Sequence, residues 1–211
     1  MNKKFKNYLI LYLSFLFFIC IFFLYSKHSV GNDSTISEWL INYSGGFTKR
    51  GIIGEISIFF SRLFEQNLRD VIYIFQLLII GIYYVLIYFF FKNLYLERYF
   101  LLSIFSPIFL IYPVAEIEVL ARKEVFIFVL FILHALIPSS NNNLKRISKL
   151  VILPLSILIW EPIVFFLPLW IFIDLVNLKA KNFKKSLFNE IIFYFPGILI
   201  AIIFIINPLT P

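Results

Sequence analysis

The chain is short of charge. Charged residues make up 15% of its 211 positions and hydrophobic ones 61%, where a soluble domain carries about 25% and about 45–50%. An ordinary water-facing surface cannot be assembled from that supply. Cysteine is nearly absent. The single Cys20 rules out an intrachain disulfide. With two histidines, His28 and His134, far apart in sequence, it leaves no Cys/His cluster for a metal. Neither a metal nor a cofactor is expected, and each histidine reads as an interfacial residue. The chain has no P-loop, no G-x-S-x-G and no H-E-x-x-H, so the familiar soluble catalytic frameworks have no signature here. It also has no internal repeat of the kind that marks many secondary transporters. There is no basic, aromatic-interleaved soluble segment, so a net charge of +7 does not point to nucleic acid.

What the chain has is apolar residues in blocks. Phe, Ile, Lys, Asn and Tyr are all encoded by A/T-rich codons, which accounts for Phe in place of Leu but not for the clustering. The blocks cover about 8–26, 71–91, 99–114, 125–138, 150–176 and 191–207. At ~1.5 Å per residue a block of about 20 residues crosses a ~30 Å hydrocarbon core. The expected fold is therefore all-α: a polytopic transmembrane helix bundle forming one membrane domain over 1–211, with membrane lipid as its surroundings. The first block follows Lys3, Lys4 and Lys6 and is longer than a signal-peptide core. No A-x-A-like site follows it, so it reads as an uncleaved signal anchor.

Loop charge gives direction. With a cytoplasmic N-terminus, alternation puts 27–70 outside, 92–98 inside, 115–124 outside and 139–149 inside. The inner loops hold Lys92, Arg98, Lys145, Arg146 and Lys149, as the positive-inside tendency requires. Residues 177–190, with Lys179, Lys181, Lys184 and Lys185, fall on the wrong side. Either 150–176 is one kinked helix that breaks the tendency, or it enters and returns to the same side, turning near Trp160-Glu161-Pro162. The single kinked helix is preferred, because charge bias is a tendency.

The first outer loop is the informative one. Ser34 or Ser37 is a candidate cap for a short helix through Glu38 to Ile41. Gly45, Gly46 and Gly51 bracket Lys49 and Arg50, a pattern that suits a tight turn with exposed backbone donors. Ile52, Ile53, Ile56, Phe59, Phe60 and Leu63 then recur at helical spacing, as in an amphipathic helix lying in the membrane interface. Gly45, Gly46, Lys49 and Arg50 at a helix start would suit a phosphate or pyrophosphate. Asp33 and Glu38 are candidate general bases. A plain glycine connector between two helices is the competing reading.

Two further clusters stand out. Arg122-Lys123-Glu124, beside Glu116 and Glu118, is either a solvated turn or a second set of ligands for an anionic headgroup. Glu161 interrupts the long apolar run between Trp160 and Pro162. A carboxylate in such a place faces a cavity or finds a partner, which makes it a candidate base, proton carrier or substrate ligand. Asp174, nearer the end of the run, reads as an interface residue.

The stretch Tyr43-Ser44-Gly45-Gly46-Phe47-Thr48-Lys49-Arg50-Gly51-Ile52-Ile53-Gly54 resembles a pattern in bacterial inner-membrane proteins linked to surface polysaccharide assembly. Arg122-Lys123-Glu124 and Glu161 look similar to features of the same group. The layout also resembles that of GT-C-type glycosyltransferases, which have an N-terminal span, then a large outer loop with interfacial helices and an acidic residue, then more spans. GT-C-type proteins usually have more spans than the five or six here. The resemblance implies a bacterial cytoplasmic-membrane glycosyltransferase or polymerase-like protein acting on a lipid-linked sugar. Lys49 and Arg50 would hold phosphate, Asp33 or Glu38 would act as base, and Arg122, Lys123, Glu124 and Glu161 would line the cavity. A transporter or flippase, with Glu161 as coupling site, and a non-catalytic subunit packed on a membrane protein partner are the alternatives.

Overall fold

Lys3–Val30 forms one unbroken helix, α1, because nothing in it breaks a helix: it contains no proline and no glycine. The computed structural model describes residues 3–30, 35–46, 48–92, 98–138, 141–176 and 191–206. After α1 come a 3₁₀ turn at Ser37–Leu40 and the helices α2 (Gly51–Leu63), α3 (Leu68–Lys92) and α4 (Arg98–Ile104). A π turn at Pro107–Ile111 leads into α5 (Tyr112–Ala115), α6 (Ile117–Ala121) and α7 (Val125–Leu136). Then follow α8 (Asn142–Ile147), a π turn at Ser148–Ile152, α9 (Leu153–Ile159), a 3₁₀ turn at Glu161–Phe166 and α10 (Leu167–Val176). A 3₁₀ turn at Ile192–Tyr194 precedes the last helix, α11 (Phe195–Ile206). The regular structure among the described residues is all helical, with no strand.

Among the described residues two helices, α1 and α3, are long and apolar enough to cross a membrane. The other expected spans are shorter or interrupted. The run 99–114 is split into α4, a π turn and α5, with Pro107 and Pro113 at the breaks. The helix over 125–138 is 12 residues long, and the one over 191–207 is preceded by a 3₁₀ turn. Proline lacks the donor a helix interior needs, and its ring clashes with the carbonyl one turn earlier.

Contacts divide the chain into two compact units, residues 1–40 with 55–129, and residues 41–54 with 130–211. In the first unit α1 and α3 pack antiparallel. His28 meets Asp70, Tyr25 meets Tyr73, and Cys20 and Phe17 meet Tyr84. The faces sort by residue type. Leu9, Leu13, Leu16, Cys20 and Leu24, three or four apart, are buried. Leu11, Phe15, Phe18, Phe22 and Tyr25 form the opposite stripe and are exposed. On α3, Ile74, Leu78, Ile82, Val85 and Phe89 are exposed as well. A long helix apolar on both its packed and its open face matches hydrocarbon surroundings, not water. In α2 the apolar stripe Ile56, Phe59 and Leu63 is exposed, while Ile53, Gly54 and Ser57 are buried. Part of the apolar face thus meets no protein, while Phe60 packs edge-on against Phe75 of α3.

The second unit is built on a fold-back. Were 150–176 one helix, Lys149 and Asp174 would stand about 37 Å apart at ~1.5 Å per residue. Instead Lys149 Nζ lies 2.8 Å from Asp174 Oδ2. The chain reverses at Trp160, whose backbone is extended (φ −154°, ψ 102°) between α9 and the 3₁₀ turn that Pro162 opens. The preferred single kinked helix therefore gives way to a hairpin. One arm runs from α8 through α9, the other from the Glu161–Phe166 turn through α10. Helix α11 packs against α9 at Gly197, where a Cβ would sit 3.1 Å from Ile157 and 3.2 Å from Leu153.

Candidate functional site

The sequence-predicted residues fall into two groups, one in each unit. In the second unit the segment 41–50 is a compact loop. Asn42 opens it by accepting from the Ser44 amide (2.9 Å) and hydroxyl through its side chain, and from Thr48 Oγ1 (3.0 Å) through its carbonyl. The Gly46 amide donates to the Tyr43 carbonyl at 3.0 Å, and Gly46 adopts φ +115°, which suits glycine. That amide serves its own turn. Gly45 and Gly46 have open space around them. The glycine that matters for packing is Gly51, where a Cβ would meet the Tyr43 ring at 2.5 Å.

Arg50 leaves this loop with a positive φ of 66°, a conformation a non-glycine residue keeps only when its surroundings hold it there. They do so here. Arg50 Nε donates to Glu161 Oε2 at 2.6 Å and Arg50 Nη2 to Glu161 Oε1 at 2.9 Å, across 111 residues of sequence. The planar fork of the guanidinium matches the carboxylate, the strongest form of this bond. Both side chains are about a quarter exposed. Lys49 lies within electrostatic reach of the same carboxylate. Two cations and one carboxylate thus gather where the hairpin tip meets the N-terminal end of α2.

In the first unit Glu38 sits on the Ser37–Leu40 turn, anchored by the neighbouring Trp39, whose Nε1 donates to the Ala121 carbonyl at 2.7 Å. Gln76 ties the Thr35 and Ala121 carbonyls together from α3. Arg122 Nη2 donates to Glu38 Oε1 at 3.0 Å, and Arg122 Nε stands 3.6 Å from Glu124 Oε1. The bond to Glu38, with the charge of Glu124, raises the Arg122 pKa above its ordinary value. Lys123 is buried. Lys27 with Glu118 and His28 with Asp70 complete the charged end of the α1–α3 pair. Asp33 lies outside the described residues.

No known protein family, curated protein or solved structure matches this chain. Its chemistry is therefore read from these contacts. Among the described residues no group of three or more His, Cys, Asp or Glu stands ready to hold a metal ion.

One cluster escaped sequence reasoning. Asp174, read as an interface residue, is 5% exposed and accepts from four donors. His134 Nε2 (3.1 Å) and Lys145 Nζ (3.4 Å) reach Oδ1, while Lys149 Nζ (2.8 Å) and the Tyr194 hydroxyl (2.8 Å) reach Oδ2. His134 is likewise buried, stacked on Trp170 with ring centres 4.8 Å apart. Lys145 and Lys149, one helical turn apart, carried a faint signal. Only the fold-back brings Asp174 to them.

Proposed function

We propose that this chain is a multi-pass protein of the bacterial cytoplasmic membrane that handles a lipid-linked sugar phosphate at its outer face, as a glycosyltransferase or polymerase-like protein. The observation that carries this reading is the meeting of Arg50 and Glu161, with Lys49 beside them, at the tip of an apolar hairpin. A cation pair with a competing carboxylate is a site an anionic headgroup can enter by displacing Glu161 from Arg50. Lys49 and Arg50 hold the phosphate. In the first unit Arg122 holds the charge of Glu38.

Three sets of contacts support a topology with a cytoplasmic N-terminus. Lys27–Glu118, Trp39–Ala121 and Arg122–Glu38 join loop 115–124 to loop 27–70, both assigned outside. Arg50–Glu161 joins the hairpin tip to the same outer loop. Lys145 and Lys149 with Asp174 join the two ends of the hairpin. The described ends of the hairpin, 141–149 and 174–176, then share the cytoplasmic side, where Lys145, Arg146 and Lys149 obey the charge tendency. The arm from α8 through α9 is about 27 Å long at ~1.5 Å per residue, near the ~30 Å core.

The test is a set of single substitutions, Arg50→Ala and Glu161→Gln, scored by surface polysaccharide at equal protein level. Loss of glycan in both is expected. Wild-type glycan from both removes the proposal. The charge swap Arg50→Glu with Glu161→Arg separates a clip from a binding site: a clip regains both protein level and glycan, a phosphate site regains protein level alone.

A further inference from the structure

The Asp174 cluster has a hydrogen count that can be worked out. An ionised carboxylate only accepts, so His134 Nε2 must carry a hydrogen to bond Asp174 at 3.1 Å. On the other side of the ring, His134 Nδ1 lies 2.6 Å from Ser148 Oγ, and Ser148 Oγ lies 3.0 Å from the Lys145 carbonyl. Ser148 has one hydroxyl hydrogen for these two neighbours. If it goes to the Lys145 carbonyl, Nδ1 must donate and His134 is an imidazolium. If it turns to Nδ1, His134 is neutral. The Lys145 carbonyl then keeps the bond it accepts from the Ser148 backbone amide. The two states differ by one proton and one hydroxyl rotation, with every heavy atom in place.

We propose that His134, Ser148 and Asp174 form a proton-binding site at the base of the hairpin, occupied when Nδ1 carries the proton and vacant when that proton has left to water. Its ligand is the proton itself, and the site stands independently of the reading of Arg50 and Glu161. The surroundings are those of a buried relay and not of a surface histidine. His134 is 1% exposed, and a charged or proton-carrying group inside an apolar protein is kept only where partners hold it. Among the described residues the charged group that bonds His134 is Asp174 from α10, and the groups that share that carboxylate come from each packed element: Lys145 and Lys149 from the first arm and Tyr194 from the turn before α11. Arg146 is turned to the Phe193 ring. Occupancy changes the charge balance around Asp174. The Asp174 carboxylate faces His134 as a third cation beside Lys145 and Lys149 when the proton is on, and only the two lysines when it is off.

The chain has two histidines, so the test is direct. The full-length protein, labelled with ¹⁵N-histidine in detergent micelles, is followed by imidazole ¹⁵N chemical shift from pH 5 to 9, with His28→Gln assigning the remaining signal to His134. The expected result is one titration in which Nδ1 moves from donor to acceptor shift while Nε2 stays protonated throughout. A His134 signal fixed in one state across the range overturns the proposal, as does a neutral form with its proton on Nδ1. In folded Asp174→Asn protein Nε2 faces an amide in place of the carboxylate, so the Nε2 shift should change; an unchanged Nε2 shift would also sink the proposal.

Discussion

Gly51 shows how much a single atom decides at the scale of the residue. A methyl group there would lie 2.5 Å from the Tyr43 ring, so the ring, the loop or the start of α2 must move. Gly51→Ala should cost about 1–3 kcal/mol of stability, the usual range for overpacking. Thermal unfolding in detergent checks this, and the loss should shrink in a Tyr43→Ala background, where the obstructing ring is gone. Arg50 and Glu161 are a second residue-scale case. Each is the other's bidentate partner at 2.6 and 2.9 Å. A double-mutant cycle of Arg50→Ala and Glu161→Gln should give a coupling energy of about 1–3 kcal/mol, and additive losses would show that the pair does not act as a unit. Asp174→Ala should be costlier, about 3–5 kcal/mol, because it strands the fully buried Lys149 and the nearly buried Lys145 without this carboxylate.

At the scale of the element, the hairpin over α8–α10 is the feature that loop charge hinted at and composition could not decide. A run with Pro154, Pro162 and Pro168 reads equally as a kinked span or a reversal, since proline states where a helix ends but not where the chain goes next. The reversal at Trp160 is fixed by partners distant in sequence: Lys149 with Asp174 at one end, Arg50 with Glu161 at the other. It carries a topological prediction. In a Cys20→Ser background, a cysteine at position 44 should react with a membrane-impermeant maleimide added to intact cells, and a cysteine at position 176 should not. Equal labelling of both would refute the fold-back topology. Helix α2 was the element most legible beforehand. Its apolar positions recur at helical spacing, and its exposed Ile56, Phe59 and Leu63 lie on the stripe that spacing drew.

At the scale of the whole molecule, the exposed stripes of α1 and α3 need hydrocarbon. The protein should therefore partition with membranes and need detergent for release, which carbonate washing followed by detergent extraction measures. Recovery from a detergent-free soluble fraction would contradict it. The all-helical character, the two long apolar helices and the amphipathic pattern of α2 were determined by the sequence alone. Block length, helical periodicity and missing charge are local or additive properties that need no knowledge of who touches whom. Tertiary structure alone decided that Glu161 answers Arg50, that Glu38 and Glu124 share Arg122, and that Asp174 leaves the interface for a buried cluster with His134, Lys145 and Lys149. Ion pairs in an apolar protein form between residues 25, 84 or 111 positions apart. Such separations are chosen by how the helices pack and where the chain turns back, and no spacing along the chain records that choice.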